Sequence, residues 1–454
     1  MKRNPEVGRL AGSFTFAHFA DVHLGAYSKE LRQLNLGAFL QALDRCIAAR
    51  VDFVLIAGDL FHINVPDLAV VERAAAKLHQ VKEAGIPVYV WYGSHDYSPT
   101  EKSIIDVLAS SGLFVKVARV GEGGAAEAAK LEWTVDGKTG AKIVAVAGKA
   151  QGLDRHVFRE LDKAALEGEP GFKIFGFHAG VKEFLPGYLA HIDAVSLGDF
   201  PRGFGYYAGG HIHHHHTERR EGIGLFVNPG PTFGSDGRDL LNKEPRGFVI
   251  VRVEGGRAEA RFEPVDVVPF ARKDVDVAGM SAQEARTAVE KAVEEAEVGG
   301  KAVVLRVHGE LASGQRADLD IDALYATLPK QGAAAVHIVK AFSIRESEHA
   351  AADAGAPQEE MERKTVGEHV ARFASSDPRF SGASGVKLVL ALKGLLSEEP
   401  PAQRGGKGEF EERLAARALE LVLPEVGVHI EPASAAPELA PGPGSGRRPL
   451  EEFQ

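Results

Sequence analysis

The chain has 454 residues, of which 44% are hydrophobic, and it carries a formal net charge of -10 and a single cysteine. This length allows two or three domains with at least one full core. Cys46 alone excludes an intramolecular disulfide and a cysteine-rich zinc site. The negative charge argues against a protein that coats nucleic acid by bulk electrostatics.

Neither secretion nor membrane insertion is indicated by the sequence. Residues 1–13 are polar and lack an apolar signal core, and no later apolar run is long enough to span a bilayer. We therefore expect a cytoplasmic protein with no membrane partner.

The first half of the chain alternates between strand and helix patterns. Short apolar runs bounded by glycine or polar residues predict buried strands at 14–20, 53–57, 88–92, 173–177 and 205–208. Apolar residues at helical spacing predict helices around 31–47 and 68–81. This alternation indicates a layered α/β domain, in which ligands bind beyond the carboxyl ends of the strands.

The pattern changes after residue 240. Runs at 248–253 and 258–262 flank the turn Glu254-Gly255-Gly256 and predict a hairpin that closes the first domain. A helix at 281–298, a strand at 302–307, a helix near 321–328 and a strand at 335–339 predict a small α+β domain. Residues 346–363 are acidic and alanine-rich, which is typical of a linker or a solvated helix. An apolar stretch at 386–396 and a helical segment at 410–423 precede a tail from 431 whose composition predicts disorder.

Short motifs bearing histidine and aspartate follow the predicted strands in a fixed order. They are Asp21-Val22-His23, Gly58-Asp59, Gly93-Ser94-His95-Asp96, His178 and Gly210-His211-Ile212-His213. Together they supply enough carboxylates and imidazoles to hold a pair of divalent cations around one bridging carboxylate. The mixed oxygen and nitrogen donors suit manganese, iron or zinc, and we favour Mn2+.

Each motif also has a purely structural interpretation. Asp21 and His23 alone would be equally consistent with surface residues, and a lone His178 is more often structural than ligating. Asp59 is different, because it leaves a buried strand and a dication compensates the cost of burying its charge. His95 suits either helix capping or proton donation to a leaving oxygen.

The run that begins at His211 continues through His214, His215 and His216. It looks like a purification tag, but it is internal and follows a predicted strand. From the residues alone, which of these five histidines bind metal stays open, and the last three are equally consistent with solvated side chains or adventitious metal binding.

The motif series resembles the calcineurin-like metallophosphoesterase superfamily over about residues 14–265, and within it the SbcD-type branch, the nuclease subunit of Mre-eleven type DNA-repair complexes. Three stretches carry the narrower resemblance: Phe19-Ala20-Asp21-Val22-His23-Leu24-Gly25, Ala57-Gly58-Asp59-Leu60-Phe61-His62 with Pro66 following, and Asp199-Phe200-Pro201 leading through Tyr206-Tyr207 to the histidine run. The implied fold is a two-layered sheet sandwich flanked by helices.

The resemblance also implies a ligand set. The first metal would be held by Asp21, His23, Asp59 and His213, and the second by Asp59, Ser94, His178 and His211. His95 would be the catalytic histidine, and His62 would contact the nucleotide near the scissile phosphate. The family usually has asparagine where this chain has Ser94, and a serine hydroxyl is a shorter and poorer neutral ligand.

Four regions are implied by position: a nuclease domain at 13–270, a capping domain at 271–345, a linker and helical partner-docking region at 346–430, and a disordered tail at 431–454. The partners implied are DNA, an SMC-like ABC ATPase of the SbcC type, and a second copy of the chain bound through helices near 67–84 and 101–112. A packed terminal helix pair is an equally good interpretation of the docking region.

The function expected is a two-metal DNA nuclease, a 3'–5' exonuclease and endonuclease acting in double-strand break repair. Two alternatives remain open at this point. One is a phosphoesterase acting on a small nucleotide or a phosphoprotein, and the other is a catalytically weak scaffold for DNA ends.

Overall fold

The computed structural model contains three β-sheets and the helices around them. It describes residues 12–96, 102–117, 131–148, 154–189, 191–344, 362–363, 366–367, 370, 382–397 and 407–422. The tail predicted from 431, and all of the acidic segment 346–363 except its last two residues, lie outside the described residues.

The first sheet joins the amino-terminal strands to the hairpin. Its strands are β1 (Ser13–Phe19), β2 (Phe53–Ala57), β3 (Val88–Trp91), β4 (Val115–Lys116), β11 (Gly247–Glu254) and β12 (Arg257–Pro264). Strands β1 to β4 run parallel, while β11 pairs antiparallel with both β1 and β12, giving the order β12-β11-β1-β2-β3-β4. The hairpin thus lies beside the first strand and completes this sheet.

The second sheet contains β5 (Thr134–Val135), β6 (Lys142–Val146), β7 (Lys173–Phe177), β8 (Tyr206–Ala208), β9 (His216–Arg220) and β10 (Gly224–Asn228), in the order β5-β6-β7-β8-β10-β9. One continuous core lies between the two sheets, with Phe16 and Phe53 from the first and Ile174 and Tyr206 from the second. The predicted sheet sandwich flanked by helices is therefore confirmed.

Helices cover the outer faces of the sandwich. They are α1 (Lys29–Ala49), α2 (Leu68–Glu83), α3 (Ile104–Ser110), α4 (Asp154–Arg159), α5 (Lys163–Gly168) and α6 (Gly237–Leu241). Phe39 of α1 and Leu78 of α2 pack in one core with Val54 and Ile56 of β2. The helical spacing in the sequence predicted the first two helices and the faces that they bury.

A third, all-parallel sheet follows the hairpin. Its strands are β13 (Phe270–Asp276), β14 (Ala302–Leu311) and β15 (Ala335–Ile344), with β14 in the middle. Helix α7 (Ala282–Glu294) covers one face, where Val289 packs in a core with Val303 and Leu305. The opposite face joins the core beneath α1 through Ala302 and Val304.

The helices and strands predicted between residues 281 and 339 are confirmed only in part. The predicted strands at 302–307 and 335–339 are longer in the structure, and β13 was not predicted. The predicted helix near 321–328 is a 3-10 turn, Ile321–Ala323, followed by the single turn α8 (Leu324–Thr327). Whether residues 271–345 act as a separate capping domain stays a prediction.

Two further helices are described after residue 381, α9 (Gly382–Leu396) and α10 (Lys407–Val422), and they pack against each other. They coincide with the apolar and helical segments of the sequence. Within the described ranges, no helix combines the length and apolarity required to cross a membrane.

Candidate metal centre

The strand ends bring the motifs of the sequence to one edge of the sandwich. The loops after β1 and β2 run side by side, with Asp21 N–H donating to Gly58 O at 3.3 Å and His23 N–H donating to Asp59 O at 2.9 Å. The loop after β3 joins them, because His95 N–H donates to Asp59 Oδ1 at 2.8 Å. Hydrogen bonds from backbone N–H groups thus fasten together three loops that are distant in sequence.

Four of the predicted ligands have left-handed backbone conformations. The φ angle is 51° at Asp21, 48° at His23, 51° at Asp59 and 89° at His211. A side chain in this region costs roughly 1–2 kcal/mol per residue, and such strain collects at functional sites. The surrounding hydrogen bonds must therefore hold these residues against their local preference.

Close packing at this edge depends on glycine. A Cβ at Gly93 would overlap the carboxylate of Asp59, and a Cβ at Gly210 would overlap the carbonyl oxygen of Ala57. The glycines that precede the polar residues in the motifs therefore permit the loops to approach one another.

Potential ligand atoms converge in three groups, in each of which the atoms lie within 4.8 Å of one another. The groups are Asp21, His23 and His213; Asp21, Asp59 and His178; and His23, His62 and His95. Asp21 is shared by the first two groups, and His23 joins the first to the third. The structure thus unites seven of the nine predicted site residues in one connected cluster.

His213 is held by a carboxylate that the motif series does not contain. Its Nδ1 lies 2.7 Å from Oδ2 of Asp239 on α6. Burial alone would raise the pKa of Asp239, but the hydrogen bond and charge of His213, the Ser235 N–H and Arg246 hold it well below its usual range. The carboxylate is therefore ionised and accepts the Nδ1 proton, and Nε2 of His213 faces Nε2 of His23 at 3.1 Å.

His178 has a comparable arrangement. Its Nδ1–H donates to Ala57 O at 2.8 Å, and its Nε2 lies 3.2 Å from Asp59 Oδ2 without hydrogen-bond geometry. Burial lowers the pKa of His178, but the charges of Asp59 and Asp21 outweigh burial and raise this pKa to about 10. This position therefore attracts positive charge strongly.

The pKa values of the two buried carboxylates shift in opposite directions. Burial, together with the charge of Asp59, raises the pKa of Asp21. Burial acts in the same direction on Asp59, but the neighbouring His178 and His23 outweigh it and hold the pKa of Asp59 below its usual range. Both side chains are almost completely enclosed, so the site concentrates negative charge away from water.

These features fit a pair of divalent cations. Buried carboxylates, an unpartnered buried Nε2 on His178, and a second Nε2 oriented by a carboxylate are the donor set and the outer shell that such ions require. Asp59 Oδ2 lies 3.2 Å from Nε2 of His178 and 3.7 Å from Nε2 of His23, so this carboxylate can offer oxygen to both predicted sets of donors.

His62 and His95 lie together at the open side of this cluster. Their rings are 5.1 Å apart and nearly parallel, and the ring of His95 is 4.8 Å from that of His23. Nδ1 of His95 lies 2.6 Å from the carbonyl oxygen of His62, so Nδ1 carries the proton and donates it. Since His95 is exposed, its Nε2 can reach a bound molecule from the solvent side.

The other two predicted ligands, Ser94 and His211, lie beside this cluster. Oγ of Ser94 lies 3.4 Å from Asp59 Oδ2. His211 donates its backbone N–H to both carboxylate oxygens of Asp21, at 2.9 and 3.1 Å, and its ring is 5.2 Å from that of His178. Their roles as ligands stay predictions.

Several residues that the motifs did not assign hold the loops in place. The carboxylate of Asp96 accepts from the backbone N–H groups of Asp59 at 2.7 Å and Gly93 at 3.0 Å. The amide of Asn35 on α1 donates to Val22 O at 3.0 Å. Burial and the charge of Asp59 raise the pKa of Asp96 to about 6.

The loop that carries His211 and His213 is fixed by two more side chains. The amide of Asn228 donates to the carbonyls of Ile212 and His214, and Arg246 donates to His213 O at 2.9 Å. Asn228 ends the strand next to β8, and a polar residue at such a strand end was a usable signal. Arg246 and Asp239 left no comparable signal in the sequence.

The last three histidines of the run point to different neighbours. Nδ1 of His214 lies 2.8 Å from Glu244 Oε2, and Nε2 of His216 lies 3.2 Å from Glu218 Oε2. The ring of His215 packs against that of Phe262 in a tilted arrangement, with the ring centroids 4.4 Å apart. None of the three belongs to a converging group of ligand atoms among the described residues.

Comparison with known proteins agrees with this geometry. Residues 14–215 match the calcineurin-like phosphoesterase family. The fold and the cluster of candidate ligands agree with this match, which identifies residues 14–215 as a calcineurin-like phosphoesterase domain.

Within this family, the chain is similar to proteins named DNA double-strand break repair protein Mre11. It is 30% identical to that of Archaeoglobus fulgidus over 44% of this chain and 45% of that protein. For Methanococcus maripaludis the identity is 27% over 56% of this chain and 66% of that protein. For Sulfurisphaera tokodaii it is 31% over 43% of this chain and 48% of that protein.

The chain thus spans about half to two thirds of the length of these curated relatives. The similarity lies across the phosphoesterase domain and supports a member of the Mre11 and SbcD type.

Proposed function

We propose that the chain is a two-metal DNA nuclease, a 3'–5' exonuclease and endonuclease acting in double-strand break repair. The observation that carries the proposal is the convergence of Asp21, Asp59, His178, His23 and His213 at the strand ends, with His62 and His95 beside them. The likeness to Mre11 proteins supports DNA as the substrate. Mn2+ is our choice of ion, since the donors mix carboxylate oxygen with imidazole nitrogen.

Two divalent ions bound here would supply an activated water and neutralise charge that develops on the phosphate. The side chains of the site would determine how the ions are held: Asp59 would bridge them, His213 and His178 would present Nε2, and the remaining donors would complete each set. Because the protein carries net negative charge, the ions also make this acidic edge attractive to a phosphodiester.

His95 and His62 are positioned to act on the substrate rather than on the ions. Donation from His95 Nδ1 to His62 O fixes the ring and leaves Nε2 available to a bound molecule. A proton held at that Nε2 can pass to the leaving oxygen of the cleaved strand or stabilise the charged phosphate. Nearby His62 offers a second imidazole for the nucleotide.

The nuclease proposal is tested with the full chain and Mn2+ on linear duplex DNA, single-stranded circular DNA and a chromogenic phosphodiester. We expect cleavage of both DNAs, and loss of about 100-fold or more in rate for His95→Ala. The matched control is His191→Ala, which removes an exposed imidazole elsewhere and should keep the rate.

Other results would redirect the assignment. Turnover of the chromogenic ester without DNA cleavage would favour a phosphoesterase acting on a small nucleotide or phosphoprotein. Tight DNA binding without any turnover would favour a scaffold for DNA ends.

We also propose that the chain forms a homodimer through α2 and α3. Exposed apolar side chains lie on and before these helices: Ile63, Val65 and Leu68 are 54%, 77% and 77% exposed, and Val107 is 61% exposed. Leu68→Asp should shift sedimentation from dimer to monomer, whereas Val135→Asp, at another exposed apolar position, should not. A wild-type chain that sediments as a monomer would contradict this proposal.

The remaining proposals concern the regions outside the matched domain and the compartment. Residues 271–345 would cap the nuclease domain of 13–270, and α9 and α10, in the region 346–430, would dock an SMC-like ABC ATPase of the SbcC type. Exposed Leu396 and Leu419 on these helices suit such a contact. Leu396→Asp with Leu419→Asp should abolish co-elution with the purified ATPase if the helices bind it. The location proposed is the cytoplasm.

A further inference from the structure

Helix α6 lies between the candidate metal centre and the three-stranded sheet. Its N-cap residue, Asp236, accepts hydrogen bonds from the backbone N–H groups of Arg238 and Asp239. Oδ2 of Asp239 in turn lies 2.7 Å from Nδ1 of His213. The position of this short helix therefore sets the position of the carboxylate that orients His213.

A single turn of helix does not hold its own position, because isolated helices this short are unstable. Contacts from the third sheet supply the support. Arg272, on β13, donates its Nε–H to Leu240 O at 2.6 Å. Leu240 is buried in the same core as Ala302 and Val304 of β14.

The closest approach is at Gly237, the first residue of α6. A Cβ there would overlap Cγ2 of Val339 and would lie 2.9 Å from Nε2 of His337, both on β15. Valine is stiff at χ1, so its methyl group cannot rotate freely out of the way. The helix therefore rests directly on β15, with no space for an added methyl group.

A second contact joins the same elements on the other side. The hydroxyl of Tyr27 donates to Asp236 O at 3.2 Å, and its ring packs edge-to-face against His337 at 5.9 Å. Tyr27 follows the loop that carries Asp21 and His23. The start of α6 is thus enclosed by the sheet on one side and by the first ligand loop on the other.

We propose that the three-stranded sheet is a positioning element for His213. Contact of β15 with Gly237 fixes α6, and α6 fixes His213 through Asp239. The inference rests on the proposed function in one respect, that His213 binds a divalent ion. Displacement of the sheet would then weaken the binding of that ion selectively. Asp239 and Gly237 are positioning residues rather than catalytic ones.

The test is calorimetric titration of Mn2+ into the metal-free full chain. Gly237→Ala should weaken one of the two binding events about tenfold and leave the other unchanged, and Asp239→Asn should weaken the same event about 10–100-fold. That event is assigned as the one weakened in His213→Ala. Gly299→Ala is the matched control, because a Cβ at Gly299 meets nothing within 4 Å.

Rescue distinguishes this role from a general loss of stability. In the double variant Gly237→Ala with Val339→Ala, the methyl that would obstruct the new Cβ is removed. The weakened event should return to within about threefold of wild type, since volume-conserving changes restore packing. No rescue, or wild-type affinity in Gly237→Ala itself, would overturn the proposal.

If Gly237→Ala does not fold, Arg272→Leu replaces it. This change removes the hydrogen bond from β13 to Leu240 O, and it should weaken the same binding event; unchanged affinity overturns the proposal.

The nuclease proposal can fail independently of this inference. Two Mn2+ ions bound without DNA cleavage would sink the nuclease assignment alone, while cleavage together with unchanged affinity in Gly237→Ala would sink this inference alone.

Discussion

Two buried histidines show how differently the interior and the edge of this sandwich treat the same side chain. His18, on β1, is enclosed between the sheets and hydrogen-bonds Tyr206 at 2.9 Å. Burial lowers its pKa to about 3. His178 is equally buried, yet the carboxylates facing it raise its pKa to about 10. Burial drives both rings toward neutrality, and only the placement of Asp59 and Asp21 reverses that outcome.

The strand-end edge therefore stabilises positive charge, whereas the interior does not. In the interior, a neutral imidazole shares a hydrogen bond with a hydroxyl, and no carboxylate contact raises its pKa. At the edge, several carboxylates share one enclosed space, so a proton or a cation must compensate them. In the proposed site, a pair of divalent ions would do so with donors that are already in place.

The largest effect should come from removing Asp59, the carboxylate that does most to raise the pKa of His178. Asp59→Asn deletes the bridging charge, and we expect phosphodiester hydrolysis with Mn2+ to fall about 1,000-fold or more. Asp266→Asn, at an exposed carboxylate, is the control and should keep its rate. Activity of Asp59→Asn within tenfold of wild type would show that this edge does not need the charge.

The next largest effect should be on Mn2+ affinity, and it should differ between an imidazole oriented by a carboxylate and an exposed imidazole. His213 has the carboxylate of Asp239 behind it, whereas His211 is exposed. We expect His213→Ala to weaken one Mn2+ about 100-fold, and His211→Ala to weaken the other only about tenfold. Calorimetry measures both constants, and His214→Ala should change neither. Equal losses would contradict the idea that orientation decides which ligands matter.

The interior histidine predicts an acid sensitivity of its own. Because its folded-state pKa is lowered from 6.5 to about 3, the unfolded chain binds a proton first as pH falls. No penalty exists above pH 6.5, and the metal-free protein should lose about 2–3 kcal/mol of unfolding free energy between pH 6.5 and 4.5 from this residue.

The matched variant for this prediction is His18→Phe with Tyr206→Phe, which removes both hydrogen-bonding partners together. Urea unfolding at pH 7 and pH 4.5, with chelator present, gives the comparison. The double variant should lose less stability than wild type over that range. The same loss in both proteins would mean that His18 does not carry the acid sensitivity.

The smallest effect concerns Ser94, where the sequence departs from the pattern it resembles. The asparagine side chain is longer than that of serine, and its amide carbonyl is a better neutral ligand than a hydroxyl. Ser94→Asn should therefore tighten binding of the second ion several-fold. Ser94→Ala tests the hydroxyl itself. If calorimetry shows unchanged affinity in Ser94→Asn, Ser94 does not lie in the coordination shell.

Much of this architecture was predictable because its signals are local. Buried strands β2 and β7 were predicted at the correct residues, and polar residues directly after them marked the functional edge. The same local logic predicted α1 and α2. These features depend on periodicity and on the cost of leaving a charge at a strand end.

Other parts of the site depend on contacts between distant segments. Asp239 orients His213 from 26 residues away, on a helix too short to leave a periodic pattern. The place of β11 beside β1 and the second buried face of the third sheet arise only when the chain is folded. The sequence carries the ligands, whereas tertiary packing decides which of them are held in position.

The left-handed backbone at Asp21, His23, Asp59 and His211 has an evolutionary consequence. At these positions glycine would relieve strain, so each ancestral gain in stability there would be a loss of candidate donor atoms. In the proposed enzyme, selection for metal binding and selection for stability would therefore oppose each other at the same four positions. A lineage released from selection for hydrolysis should drift toward glycine at these sites first, and such drift would mark relatives that have kept the fold and lost the activity.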